Sequence, residues 1–209
     1  MRRPILQVAL DFMNLHRALK VAEEAVAGGA DWLEAGTPLI KAEGLDAVRA
    51  LKRQFPKYTI VADMKTVDVG RLEVEMAAKA GADVVVVLAI SDEATIREAV
   101  RKAEEVGKEV LVDTLGIRDA ASRLRDVMEL GVHRVCLHRG VDEGIFQDYE
   151  LLDELRELDI RIGVAGGINA STIGEVARRA DFVMVGRAIT RADDPRSAAG
   201  EILRAAGVL

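Results

Sequence analysis

Asp63 and Lys65 stand two residues apart in Ala62-Asp63-Met64-Lys65-Thr66-Val67-Asp68, directly after the apolar run Thr59-Ile60-Val61. On a strand, a period of two sends both side chains to one face and leaves Asp68 on the turn beyond. A cation between carboxylates at a strand end is either a surface ion pair or part of a polar site, and this stretch alone fits both. The rest of the chain favours the site, because the same residue types end other apolar runs: Asp11, Glu34, Asp113 and His138, then Ala165-Gly166-Gly167 and Gly186-Arg187.

Each group suggests a chemistry. Glu34 and Asp63 belong to successive strands, so their carboxylates can converge on one hard cation such as Mg²⁺, with positions left for substrate oxygens. They can equally neutralise Lys65, and both functions are compatible, because a lysine beside metal and carboxylates stabilises an anionic intermediate. Asp11 is expected to orient Lys65. His138 can exchange protons near neutral pH, with a buried structural histidine as the alternative. The glycines at 166, 167 and 186 offer bare backbone amides, and Arg187 offers paired donors, which together suit a phosphate. Arg139 either reaches that phosphate or faces solvent. His16 and His133 lie away from these groups and read as structural.

The elements that would carry these residues follow from periodicity. Short apolar, β-branched runs alternate with longer helical patterns. Strands are expected over 5–11, 31–34, 59–65, 83–89, 109–114, 133–138, 160–165 and 181–185. Helices are expected over 14–27, about 45–54, about 71–80, 92–106, 118–130, about 149–157, 171–179 and 195–206. Asn14 and Asp92 are natural N-caps. Turns after helices recur as Gly29-Ala30-Asp31, Gly81-Ala82-Asp83 and Gly131-Val132-His133, with the glycine suited to stop each helix. About eight such units, with no linker between them, predict an α/β fold: one (β/α)8 barrel domain over 1–209, near the lower size limit of that architecture. An open doubly wound sheet fits less well, since Asp11-Phe12-Met13-Asn14 replaces a Gly-rich first turn. In a barrel, the listed chemistry falls on the rim where such folds place active sites, and phosphate commonly binds after strands seven and eight.

Composition narrows the partners. With half of 209 residues apolar, the chain can bury a full core. The net charge of −6 is spread among interspersed acids and bases, which argues against a nucleic-acid or membrane surface. Cys136 is the only cysteine, so no internal disulfide is expected, and a cytoplasmic setting fits. The apolar run after Arg2-Arg3 is broken by Gln7 and ended by Asp11, unlike a signal peptide.

The motifs Leu10-Asp11, Glu34-Ala35-Gly36-Thr37-Pro38-Leu39-Ile40-Lys41, Ala62 to Asp68, His138-Arg139-Gly140-Val141-Asp142, Ala165-Gly166-Gly167-Ile168 and Val185-Gly186-Arg187-Ala188-Ile189-Thr190 together resemble the orotidine-5′-phosphate decarboxylase suprafamily over essentially the whole chain. Asp-x-Lys-x-x-Asp is common to all its branches and does not specify the reaction. Within the suprafamily the chain most resembles the 3-hexulose-6-phosphate synthases. The sister 3-keto-L-gulonate-6-phosphate decarboxylases typically carry Glu at the fifth strand end, Arg three residues after the histidine and Thr before the glycine pair. Here those positions are Asp113, Val141 and Ala165.

The resemblance implies a Mg²⁺-dependent, reversible aldol reaction of D-ribulose 5-phosphate with formaldehyde through an enediolate. In that reading Glu34 and Asp63 hold the metal, and His138 moves the C1 proton. Lys65 stabilises the intermediate, and Gly166, Gly167, Gly186 and Arg187 bind phosphate. It also implies a homodimer whose Asp68 reaches into the partner's site. The segment Glu143-Gly144-Ile145-Phe146-Gln147 departs from the Ala-Gln often found in the family. The decarboxylase and a non-catalytic phosphate-binding barrel are the competing readings. The sequence does not set the direction of the reaction, whether toward formaldehyde fixation or ribulose 5-phosphate supply.

Overall fold

The computed structural model describes residues 3–140 and 143–207. Eight parallel strands close in sequence order: β1 (Ile5–Leu10), β2 (Trp32–Ala35), β3 (Thr59–Thr66), β4 (Val84–Leu88), β5 (Glu109–Asp113), β6 (Arg134–His138), β7 (Arg161–Ala165) and β8 (Phe182–Val185). Around them run α1 (Leu15–Ala27), α2 (Thr37–Glu43), α3 (Asp46–Gln54), α4 (Gly70–Ala80), α5 (Glu93–Glu105), α6 (Ala120–Met128), α7 (Tyr149–Leu155), α8 (Ile173–Ala177), α9 (Arg187–Thr190) and α10 (Pro195–Ala205). This is the expected (β/α)8 barrel. No described helix is long and apolar enough to cross a membrane.

Local signals account for most boundaries. Asn14 and Asp92 cap α1 and α5, their side chains accepting the N–H groups of Arg17 and Ala94. Two short helices were not expected. α2 forms because Pro38 falls in its first turn, where its missing N–H costs nothing. α9 forms directly after Gly186, in a stretch that reads as a turn. α8 is shorter than expected because Asn169 accepts the Ser171 N–H in a local turn that occupies the first residues of the pattern.

Period two along each strand divides the interior into two layers. One apolar cluster lies between sheet and helices. A second fills the barrel itself: Val61, Val84, Val86, Leu111, Cys136, Ala165, Phe182 and Met184. At its floor the Arg134 guanidinium lies 4.8 Å from the Trp32 ring centroid and pairs with Glu109. A Cβ at Gly163 would sit 2.0 Å from the Phe182 ring, so glycine is what lets that ring cross the floor.

The recurring Gly-Ala-Asp turns do more than stop helices. Asp31 donates its N–H to the Leu6 carbonyl (2.9 Å) while its carboxylate accepts the Leu6 N–H (2.8 Å). Asp83 does the same with Ile60 (2.8 and 3.0 Å), and Asp181 with Ile162 (2.8 and 2.8 Å). Three strand pairs are therefore clamped at the floor: β1–β2, β3–β4 and β7–β8. The β5–β6 pair carries His133 at the equivalent place and has only two paired positions, against three to five in the other ladders.

Asp83 also accepts from Lys52 (2.7 Å) and Lys108 (2.9 Å). Burial works to raise its pKa, but these hydrogen bonds and that from Ile60 outweigh it and hold the carboxyl below its ordinary value. A depressed pKa contributes stability that is present above the unfolded value and lost as pH falls through the folded one. Asp83→Asn is expected to destabilise the protein by about 1–3 kcal/mol near neutral pH. In urea unfolding, its deficit against the unaltered protein should shrink as pH drops below about 4.

Candidate active site

Asp11, Glu34, Asp63, Lys65, Asp113 and His138 converge on the mouth at the C-terminal ends of the strands, but not all at one depth. Glu34 lies inside β2, is 2 % exposed, and pairs in register with Ala9 and Val61. Asp63, 4 % exposed, stands two residues beyond Val61. Lys65 reaches it by a route simple alternation does not describe. Between the pairs Ala62↔Val85 and Thr66↔Val87, β3 uses four steps where β4 uses two, and Lys65 takes the left-handed conformation (φ 47°). This bulge re-aims the side chain, at a conformational cost of roughly 1–3 kcal/mol.

The Lys65 ammonium contacts Asp63 Oδ1 and Oδ2 at 2.8 and 2.7 Å and lies 3.8 Å from Asp113 Oδ2. Burial opposes its charge, yet Asp63, Asp113 and Glu34 together raise its pKa above the ordinary value. Burial, and then the Asp63 charge, push the Glu34 carboxyl well up. The same two causes raise Asp11. The expected pairing of Asp11 with Lys65 is absent: no hydrogen bond joins them among the described residues. Asp11 lies instead across Gly36, where a Cβ would meet its Oδ1 at 2.1 Å.

Three supporting residues were not singled out from sequence. Thr37 donates its N–H (3.2 Å) and hydroxyl (2.7 Å) to Asp63 Oδ2. Gln7 Nε2 donates to Glu34 Oε2 at 2.8 Å, while the buried Gln7 Oε1 has no partner among the described residues. Thr114 Oγ1 accepts the His138 N–H at 3.1 Å. Inward parity on β1 marks Gln7, a buried polar residue two positions before Ala9, and Thr37 opens the loop after β2.

Asp113 was expected to act on substrate choice. It is fully buried, and its Oδ2 accepts His138 Nδ1 at 2.7 Å while Oδ1 accepts the Leu115 N–H at 2.8 Å. It therefore holds the His138 ring: with Nδ1–H committed to a carboxylate, Nε2 is the ring atom free to take a proton. Ala165 sits beside His138 in register, 5 % exposed. Val141 lies outside the described residues.

The glycine turn faces the mouth from β7. Gly166 (φ 112°) can carry no Cβ, which would lie 2.4 Å from the Arg139 carbonyl oxygen, so the loop after β6 packs directly on it. Ile145 covers Gly167 in the same way, and the Phe146 N–H donates to the Gly166 carbonyl at 3.1 Å. Gly186 lies near Asp11, and Arg187 is exposed with no salt-bridge partner among the described residues. Arg139 is exposed and turns toward Glu143 of its own loop, its Nε 3.4 Å from the Glu143 carbonyl. Asp68 is exposed on the turn after β3, its Oδ1 accepting the Val69 N–H at 2.7 Å.

Among the described residues no group of three or more acidic, histidine or cysteine side chains is placed to hold a metal ion. Glu34 and Asp63 nevertheless fit Mg²⁺, which is commonly bound through one or two carboxylates with water and substrate oxygens completing the shell. Burial first, and then the Asp63 charge, raise Glu34 and Asp11, and a divalent cation would relieve the second of these causes.

The fold and this rim of charge define a barrel with a polar, charged mouth at the C-terminal ends of its strands, and comparison with known proteins fixes its class. The chain belongs to the orotidine 5'-phosphate decarboxylase / HUMPS family, whose pattern it matches over residues 4–202. It is 43% identical to the 3-hexulose-6-phosphate synthase of Mycobacterium gastri, across 96% of this chain and 98% of that protein. A crystal structure of 3-hexulose-6-phosphate synthase superimposes with a TM-score of 0.90 at 42% identity, covering 96% of this chain and 98% of its own. A 3-keto-L-gulonate-6-phosphate decarboxylase from Vibrio cholerae superimposes at 0.85 with 31% identity, covering 98% and 97%. The chain is thus an enzyme, a lyase of this family.

Gly36→Ala is expected to destabilise the protein by about 1–3 kcal/mol, because the added methyl meets the Asp11 carboxylate. Thermal unfolding of Gly36→Ala, Asp11→Ala and the double variant checks this: the two substitutions together should cost less than the sum of each alone.

Proposed function

We propose that the protein is a 3-hexulose-6-phosphate synthase, catalysing the reversible, Mg²⁺-dependent aldol addition of D-ribulose 5-phosphate to formaldehyde. The observation that carries this reading is the buried Asp113 on His138 Nδ1, which leaves Nε2 as a base at a mouth rich in carboxylates. In this reading Gly166, Gly167, Gly186 and Arg187 bind the phosphate and so fix where C1 lies. His138 Nε2 takes the C1 proton, a contribution of about 10²–10⁴ in rate for a positioned base. Lys65 faces the negative charge of the enediolate, which attacks the formaldehyde carbon. His138 then returns its proton to the oxygen that formaldehyde contributes. Mg²⁺ bound by Glu34 and Asp63 would supply Lewis-acid charge to the substrate carbonyl.

A homodimer fits this reading. Val67, Val69, Leu72 and Met76 are exposed apolar residues on the turn after β3, which carries Asp68, and on the helix α4 that follows it. A second copy covering them would bring its Asp68 toward this site. The second reading is decarboxylation of 3-keto-L-gulonate 6-phosphate, favoured by the Vibrio cholerae likeness. Asp113 and Ala165, in place of the Glu and Thr typical of that branch, favour the synthase.

Purified protein with Mg²⁺, ribulose 5-phosphate and formaldehyde should consume formaldehyde. EDTA or Asp63→Ala should abolish the consumption, and CO₂ release from 3-keto-L-gulonate 6-phosphate without formaldehyde consumption would give the decarboxylase reading instead. Mixing inactive Asp68→Ala and His138→Ala chains after joint refolding should restore up to about a quarter of the sites if each site draws on both copies. No recovery would sink the shared site.

A further inference from the structure

The two carboxylates assigned above to Mg²⁺ are each unequal in their oxygens. Asp63 Oδ2 accepts three donors, the Thr37 N–H, the Thr37 hydroxyl and Lys65, whereas Oδ1 accepts Lys65 alone. Glu34 Oε2 accepts Gln7 Nε2, and Oε1 has no protein donor among the described residues. An oxygen whose lone pairs are already engaged has nothing to direct at an ion. Asp63 Oδ2 is fully engaged, and Glu34 Oε2 has one of its two lone pairs turned to Gln7, so in both residues an uncharged donor makes the other oxygen the freer one.

Both donors are held rigidly. Pro38 in the first turn of α2 fixes the chain direction at Thr37, so its N–H and hydroxyl meet the same oxygen. Gln7 is fully buried, so packing holds its side chain, and among the described residues the Glu34 carboxylate is the one hydrogen-bond partner of its amide.

The number of oxygens a carboxylate can offer bears on which cation fits. Mg²⁺ takes six ligands in a near-ideal octahedron, which suits single oxygens from separate carboxylates plus water. Ca²⁺ takes six to eight and readily accepts a carboxylate through both oxygens. We propose that Gln7 and Thr37 are positioning residues that restrict Glu34 and Asp63 to one oxygen each and thereby select Mg²⁺ over Ca²⁺. The inference rests on the metal assignment of the preceding section.

The test reads metal binding, not turnover. Mn²⁺ bound to the full chain in the presence of ribulose 5-phosphate is followed by paramagnetic resonance and displaced with Mg²⁺ or Ca²⁺. The unaltered protein should release Mn²⁺ at lower Mg²⁺ than Ca²⁺. Thr37→Val and Gln7→Leu should each shrink that preference by about tenfold, and Thr37→Ser, which keeps the hydroxyl, should retain it. Thr37 is partly exposed, so Thr37→Val tests the idea even if Gln7→Leu does not fold. Mn²⁺ bound with an unmoved Mg²⁺/Ca²⁺ preference in Thr37→Val would overturn the inference alone. An unaltered protein that binds no Mn²⁺ would overturn the metal assignment and the inference with it.

Discussion

The Lys65 ammonium sits among carboxylates that, without it, would repel one another across the mouth of the barrel. Asp63 and Asp113 lie within 4 Å of it, and Glu34 is close enough to raise its pKa. Burial of this much negative charge is tolerable only when it is paired and hydrogen-bonded. The bulge in β3 exists in this light: it spends backbone strain at Lys65 to place one cation where several acids meet. Around that pairing the other groups take fixed orientations, from the Thr37 and Gln7 donors to the Asp113–His138 bond.

The two layers of the barrel divide the labour. Apolar strand residues below the mouth, with Phe182 and Trp32 at the floor, exclude water from beneath Glu34 and Asp63. The loops above carry the exposed parts: the glycine turn, Arg187, and Arg139 and Ile145, which pack on Gly166 and Gly167. A site built this way keeps its charge pattern on rigid strands, while ligand contacts fall to loops that vary more freely.

Much of this was legible in the sequence. Alternating apolar runs gave eight strands in the right places because each strand is buried on both faces, which leaves an unmistakable β-branched signature. Asp63, Lys65 and His138 were found because charge at the end of such a run is conspicuous. What stayed hidden depends on distance across the chain. The bulge at Lys65 has no local signature, since Lys is not a residue that advertises a left-handed turn. Asp11 looked like a partner for Lys65 because both end strands, but Asp63 lies nearer and claims the ammonium. Asp113 read as a position that separates the branches, and its burial and its bond to His138 are facts of the β5–β6 pairing that the sequence does not display. The need for a bare Cα at Gly36 comes from a side chain 25 positions away.

The β5–β6 junction is the seam of the barrel. It has the shortest ladder and lacks the Asp clamp that secures three other strand pairs at the floor. Its ends are stapled by side chains instead: Arg134 to Glu109 below and His138 to Asp113 above. His138 and Asp113 thus stand on opposite lips of the least-sewn joint in the sheet. A fluctuation that parts those lips separates His138 from Asp113 while the better-paired ladders remain closed, so this contact can open by local breathing at less cost than global unfolding. The same bond that orients the histidine ring is also a fastener of the barrel.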